Sequence, residues 1–238
     1  MITFADTSVT PGETYKYRVQ VTDPLGNTRT GDWTDVTAAT SGALSSYAAE
    51  VSDDGPLFYW RFGESSGTTV DDAVNRMDGS RAGTITQAVA GAIQGDPNTA
   101  YTFAGGNTGS RVVTSEQLPD QQDFAAEAWI KTSTNSGGRI IGFSNGTSGT
   151  SGKSDRHVYM RNDGKLTFGV AADSLQTITS TKSYNDNKFH HVVAQMSVNG
   201  MELFVDGSKV ADNPKAFAAT EYNAYWRIGG DGLTGWPS

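Results

Sequence analysis

One stretch, Lys188 to Gly207, KFHHVVAQMSVNGMELFVDG, limits what this chain can fold into more than any other. Side chains alternate from His190 to Ser197 and again from Met201 to Val205, and Asn199-Gly200 joins the two runs. Asn-Gly tolerates the positive φ angles of a tight hairpin turn, and a second such dipeptide, Asp206-Gly207, follows at once. The segment therefore predicts strand, turn, strand, turn.

Composition agrees with a turn-rich β protein: 28 glycines in 238 residues, 18% charged and 36% hydrophobic residues. The formal net charge of −8 comes without a basic cluster. A nucleic-acid backbone or an anionic membrane would be repelled, so neither is an expected partner. With no cysteine there is no disulfide frame and no thiolate metal site. MITFADTSVT has neither a basic start nor an apolar core, and no run approaches the ~20 apolar residues of a membrane helix, so neither a signal peptide nor membrane insertion is expected in this stretch of chain.

Along the chain, Tyr15, Tyr17, Val19 and Val21 alternate with polar residues after Pro11-Gly12, and Asp23 to Asn27 turns that strand back toward Trp33. Residues 38–46, AATSGALSS, have linker composition. A short helix over Tyr47 to Val51 must stop at Gly55-Pro56. Phe58, Trp60 and Phe62 then predict one face of a strand. About a dozen further short runs follow, from Gly83–Thr86 and Ala100–Ala104 through Phe124–Thr132, Arg139–Ser144 and His157–Arg161 to Tyr225–Ile228, with turn dipeptides between many of them. That spacing is the signature of a sandwich or jelly roll.

Three motifs together resemble a family. LFYWRFGESSGTTVDDAVNRMDG resembles the opening strand and loop of LamG-like domains of the concanavalin A-like superfamily. DFAAEAWIKT resembles their F-x-x-E-x-W-x-K strand through Phe124, Glu127, Trp129 and Lys131, and FHHVVAQMSVNGMELFVDGSKV resembles their W-H-H-V hairpin with Phe189 in place of Trp. Upstream, Pro11, Gly12, Tyr15, Tyr17, Val19, Asp23, Gly26 and Asn27 resemble the C-terminal portion of a fibronectin type III module. The resemblance implies an all-β chain: residues 1–40 a partial fibronectin type III-like module, 41–46 a linker, and 47–238 a concanavalin A-like β-sandwich jelly roll. The family's closing F-x-G-x-I-D-E-V strand has no counterpart before DGLTGWPS, which implies a jelly roll lacking its last strand: either the sequence is clipped there, or the open edge is filled by a strand donor in trans.

Candidate chemistry is sparse. Glycosidases of this fold need two carboxylates across a cleft; no E-x-D-x-x-E spacing exists, and Glu127 is read as structural, accepting buried hydrogen bonds or paired with Arg61 or Arg139. Adjacent His190 and His191 point to opposite faces of their strand and cannot share an ion. His157 has no serine or cysteine motif beside it, so packing or hydrogen bonding is its expected role. Trp60, Trp129 and Phe124 are read as core. For a saccharide, aromatic faces and hydroxyl-fixing groups are supplied by Arg156, His157, Tyr159 and Arg161, three of which share one strand face, and by Trp226 and Arg227. Asp71, Asp72, Asn75 and Asp78 are hard oxygen donors. The family resemblance implies a calcium near Asp72 and Asn75, against the alternative of a turn held by Asx hydrogen bonds.

What the resemblance implies for function is non-catalytic recognition of a carbohydrate or other cell-surface ligand, within a secreted or cell-surface multidomain bacterial or phage tail protein. A structural spacer or adhesion module, and an accessory part of a glycoside-active enzyme, are the alternatives. The chain itself is expected not to be an enzyme, and neighbouring domains of the same polypeptide are expected partners.

Overall fold

The computed structural model describes residues 13–37, 46–106, 109–230 and 233–238. The chain divides into two units, Met1–Val51 and Ser52–Ser238. Pro11, Gly12 and the linker residues 41–45 lie outside the described residues.

The first unit holds β1 (Thr14–Tyr17), β2 (Gln20–Thr22), β3 (Thr28–Thr30) and β4 (Thr34–Thr37). The long strand expected through Val21 is split, because its two ends pair with different partners: β1 with β4, and β2 with β3. Asp23 builds the turn of the second ribbon, its Oδ1 accepting the Leu25 and Asn27 amides at 2.9 and 2.8 Å. That Asx geometry is what Asp-x-x-Gly-Asn encodes. Val19, Val21, Trp33 and Val36 are all exposed, as expected where no facing sheet lies among the described residues of this unit, and the Arg18 guanidinium lies over the Trp33 ring at 4.5 Å. Helix α1 (Ser46–Asp53) follows; it ends before Gly55, whose amide donates to the Ser52 carbonyl at 3.1 Å.

The second unit is a β-sandwich. Its strands are β5 (Thr69–Val70), β6 (Gly79–Ala82), β7 (Ile85–Val89), β8 (Ala100–Phe103), β9 (Arg111–Thr114), β10 (Phe124–Lys131), β11 (Gly138–Ser144), β12 (Ser154–Met160), β13 (Lys165–Ala171), β14 (Leu175–Ser183), β15 (Phe189–Ser197), β16 (Gly200–Val205), β17 (Ser208–Asn213) and β18 (Tyr225–Gly229). One layer has the order β10-β15-β16-β17 and the other β14-β13-β12-β11-β18-β9-β6-β5, with β7 and β8 forming a separate ribbon. The opening hairpin is β15 and β16, in register from Val192↔Val205 to Ser197↔Gly200.

Alternation explains the core. Val192, Ala194 and Met196 of β15 and Met201, Leu203 and Val205 of β16 are buried against Val158, Met160, Leu166, Phe168, Val170 and Trp226 of the facing sheet. Fully burying each such side chain is worth roughly 1.5–3 kcal/mol, which makes this layer contact the main source of stability. A second cluster holds Trp60, Val70, Tyr101 and Val112, and the Trp60 Nε1–H donates to the Met77 carbonyl at 2.8 Å.

Three expectations need correction. The segment from Phe58 to Phe62 is not a strand: it makes one isolated bridge, Trp60↔Asp72, and Phe62, at φ +57, breaks the alternation to stack on Tyr101 at 4.8 Å. Trp129 is not core; it is 38% exposed. Phe124, Ala126 and Ile130 of β10 pack inward, so Trp129 must point out, where it meets His191 at a ring distance of 5.0 Å. Glu127 shares that outer face, its carboxylate 3.6 Å from His191 Nε2, whereas Arg61 pairs with Asp96 at 2.8 Å and Arg139 turns to main-chain carbonyls.

Candidate functional site

The loop around Asp72 shows how a short acidic segment can be structural. Asp72 is 2% exposed. Its Oδ1 accepts the amides of Tyr59 and Val74 at 2.7 and 3.1 Å, and its Oδ2 those of Arg76 and Met77 at 2.7 and 2.8 Å. A carboxylate has about four lone-pair sites, and all are taken. Asn75 is exposed at φ +54, and Asp78 accepts the Asp72 amide at 3.0 Å. No cluster of three or more His, Cys, Asp or Glu fit to hold a metal occurs among the described residues. The donor set does not fit the expected calcium ion, which would have to strip Asp72 of its amide donors; the Asx-turn alternative describes the loop.

The six residues expected to meet a ligand divide between the two faces of one sheet. Trp226 faces the core, 5% exposed and in contact with Phe124 and Phe143. Arg156 is fully buried at the end of β12 in an irregular stretch of its pairing with β11, with φ +49. Its guanidinium lies over Phe143 at 5.1 Å, donates to Asp155 Oδ1 at 2.6 Å and the Gln121 carbonyl at 3.1 Å, and pairs with Asp120. Burial pushes the Asp155 carboxyl up to about 6 even with that cation beside it. Neither Trp226 nor Arg156 can touch a ligand on the surface. Arg227, also buried, is spent on holding the loop after β11: it donates to the Gly146 carbonyl and Ser151 Oγ, each at 3.0 Å.

His157, Tyr159 and Arg161 are placed together, on the face turned away from the core. There the sequence reading overlooked a partner. Trp236 sets its ring edge-on to His157 at 4.6 Å and to Tyr159 at 6.2 Å. It is half-buried, and the space it fills exists because residue 169 is glycine: a Cβ there would lie 2.5 Å from Trp236 Cζ3. Beside the ring opens a groove of about 220 Å³ lined by Gly137, Arg139, Tyr159, Arg161, Asn162 and Trp236, among others. Gly137, at φ +61, lets its turn approach the end of β12 so closely that a Cβ would lie 2.6 Å from the Met160 carbonyl oxygen.

Polar groups in the groove are fixed to different degrees. Arg139 is held by the Gly229 carbonyl at 2.9 Å, the Gly230 carbonyl and Ser144 Oγ at 3.0 Å. Arg161 has its side chain 30% exposed, with Asp163 at 3.8 Å and its Nη2 donating to the Ser238 carbonyl at 3.2 Å, and Asn162 is exposed. Burial, together with the nearby Arg139 and Arg227 charges, holds His157 well below the usual histidine range, and burial raises the Tyr159 phenol. Both are neutral.

The other two histidines lie on β15, in the opposite sheet. His190 sits between Asp206 (Nδ1, 2.8 Å) and Asp186 (Nε2, 3.0 Å). Burial opposes its charge, yet hydrogen bonds to the two carboxylates outweigh that and raise its pKa. His191 stacks on Trp129 on the opposite side of the strand.

With fold and groove in view, comparison with known proteins places the chain. Residues 104–237, more than half of it, match the model of the concanavalin A-like lectin/glucanases superfamily, and the chain belongs to that family. Among solved structures it is similar to Trypanosoma rangeli sialidase in complex with sialic acid, at 15% identity and a TM-score of 0.51, covering 74% of this chain and 27% of that one. It is also similar to the binding domain of botulinum neurotoxin DC in complex with SialylT, at 15% identity and a TM-score of 0.50, covering 74% and 43%. The chain thus spans less than half the length of either, and likeness at this identity concerns the fold. No curated protein matches the sequence.

Proposed function

We propose that this chain is a non-catalytic glycan-recognition module that binds a saccharide in the groove beside Trp236. The observation that carries the reading is the groove's make-up: an aromatic wall, the half-buried Trp236 ring beside the buried Tyr159, with the Arg161 guanidinium and the Asn162 amide in reach of a saccharide's hydroxyls or a carboxylate. The two solved structures above are described as complexes with sialic acid and with SialylT, which supports a sugar as the ligand class. Among the described residues the groove lining contains no Asp or Glu side chain, whereas glycoside hydrolysis would call for two carboxylates flanking the bond.

In this reading residues 47–238 are the recognition module, 1–40 are fibronectin type III-like and 41–46 the linker, within a secreted or cell-surface multidomain protein. No helix among the described residues is long and apolar enough to cross a membrane. A glycan array carrying sialylated, uronate-bearing and neutral saccharides tests the proposal. Retention of one class, weakened roughly tenfold or more by Arg161→Ala through loss of a charge-assisted pair, is expected. A blank array would end the saccharide reading.

A further inference from the structure

The groove reading uses only the surface beside Trp236, yet polar groups also lie beneath that ring. His157 is fully buried, and neither Nδ1 nor Nε2 has a hydrogen-bond partner; the Tyr159 hydroxyl, 1% exposed as a residue, has none either. Thr167 is the side chain that faces that hydroxyl, and its Oγ1 also meets Thr179 Oγ1 at 2.9 Å. Buried polar atoms are nearly always paired, and a histidine with two idle nitrogens is costly to keep. Below His157 is Gly142, a residue with no side chain to offer it a partner, and above it is the Trp236 ring.

The geometry points to a second part of the binding surface: His157 and Tyr159 form a hydroxyl-recognising floor that Trp236 covers in cis, and a saccharide takes the ring's place. This rests on the saccharide reading above and adds to it how the site is gated. Two residues apart on one strand face, His157 and Tyr159 stand about 6.8 Å apart along the backbone, a span that suits hydroxyls at the two ends of one pyranose edge. A neutral imidazole supplies one donor and one acceptor and a phenol can be either, which is the mixed pattern sugar hydroxyls need. The His157 environment keeps the ring in that neutral form.

Trp236 belongs to a short segment whose turn is closed by its own amide donating to the Leu233 carbonyl at 2.9 Å. A further tie runs from Arg161 Nη2 to the Ser238 carbonyl at 3.2 Å. The ring rests on Gly169, where a methyl group would evict it.

The test compares the unaltered protein, Trp236→Ala and Gly169→Ala on the glycan array, with calorimetry on the best saccharide and an NMR titration of the assigned His157 ring protons. If the site opens in about one molecule in ten, removing or evicting the ring tightens binding roughly tenfold, and His157→Ala in the Trp236→Ala background abolishes that gain. Solvent reaching His157 in the opened variants brings its titration up toward the ordinary range. Weaker binding by Trp236→Ala would overturn the cover, showing the ring to be a stacking face while the saccharide reading stands. An unchanged His157 titration would likewise overturn it. No retention by any form would remove both.

Discussion

Replacing Asp72 by alanine is expected to lower the unfolding free energy by about 3–4 kcal/mol, measured by urea denaturation. Four main-chain amides from two separate segments, Tyr59 and Val74, Arg76, Met77, converge on this one carboxylate. Each charge-assisted hydrogen bond contributes about 1.5–3 kcal/mol when both groups are desolvated, and the sum is held down because the loop relaxes and water re-enters once the carboxylate is gone. Trp60 adds a tertiary readout, since its indole N–H is tied to the Met77 carbonyl of the same loop, so the near-ultraviolet signal of that ring should change with the loss. Asp72→Asn keeps the shape but loses an acceptor and the charge, and should fall between. A loss under about 1 kcal/mol would show that the loop is held by something other than its aspartate.

Arg156→Met is the second large effect. The guanidinium is fully buried and is the counter-charge of Asp155, itself 1% exposed with its Oδ2 unpartnered. Removing one partner of a buried pair strands the other, at a cost of about 3–5 kcal/mol. The same variant also empties the stack over Phe143 and frees the Gln121 carbonyl. Adding Asp155→Asn to Arg156→Met should restore part of the loss, because the stranded charge is then gone. If the double variant is as unstable as, or worse than, the single one, packing over Phe143 rather than charge pairing is what Arg156 supplies.

Much of the fold could be read from side-chain periodicity, and the departures have physical causes. The Lys188 to Gly207 hairpin formed as its alternation and turn dipeptides required, and Arg111–Thr114 and the strands from Phe124 onward came close to their expected positions. Period-two reasoning fails where pairing is absent, as at Phe58 to Phe62, where a left-handed residue ends the alternation. It also fails where it is not carried through: Phe124 and Trp129 are an odd number of residues apart, so a regular strand cannot bury both, and the exposure of Trp129 was already implicit in the spacing.

The candidate site was less legible. His157, Tyr159 and Arg161 do share a face, as i, i+2, i+4 spacing dictates. Arg156 and Trp226 were misassigned because composition alone cannot tell a buried guanidinium or core indole from an exposed one. Trp236 was missed since it lies in a segment without periodicity, and only tertiary structure reveals what its ring touches. Its one sequence signal is at a distance: Gly169 interrupts a strand of bulky residues, and a glycine inside a strand often marks the close approach of another group.

The most direct test follows the indole resonances of the five tryptophans in an amide correlation spectrum as the array's best saccharide is added. The account predicts that Trp236 shifts in step with Tyr159 and Asn162, while Trp129, on the outer face of the other sheet, stays where it is. Saturable shifts confined to Trp129 and its neighbour His191 would contradict it, and would move the ligand to the opposite side of the sandwich.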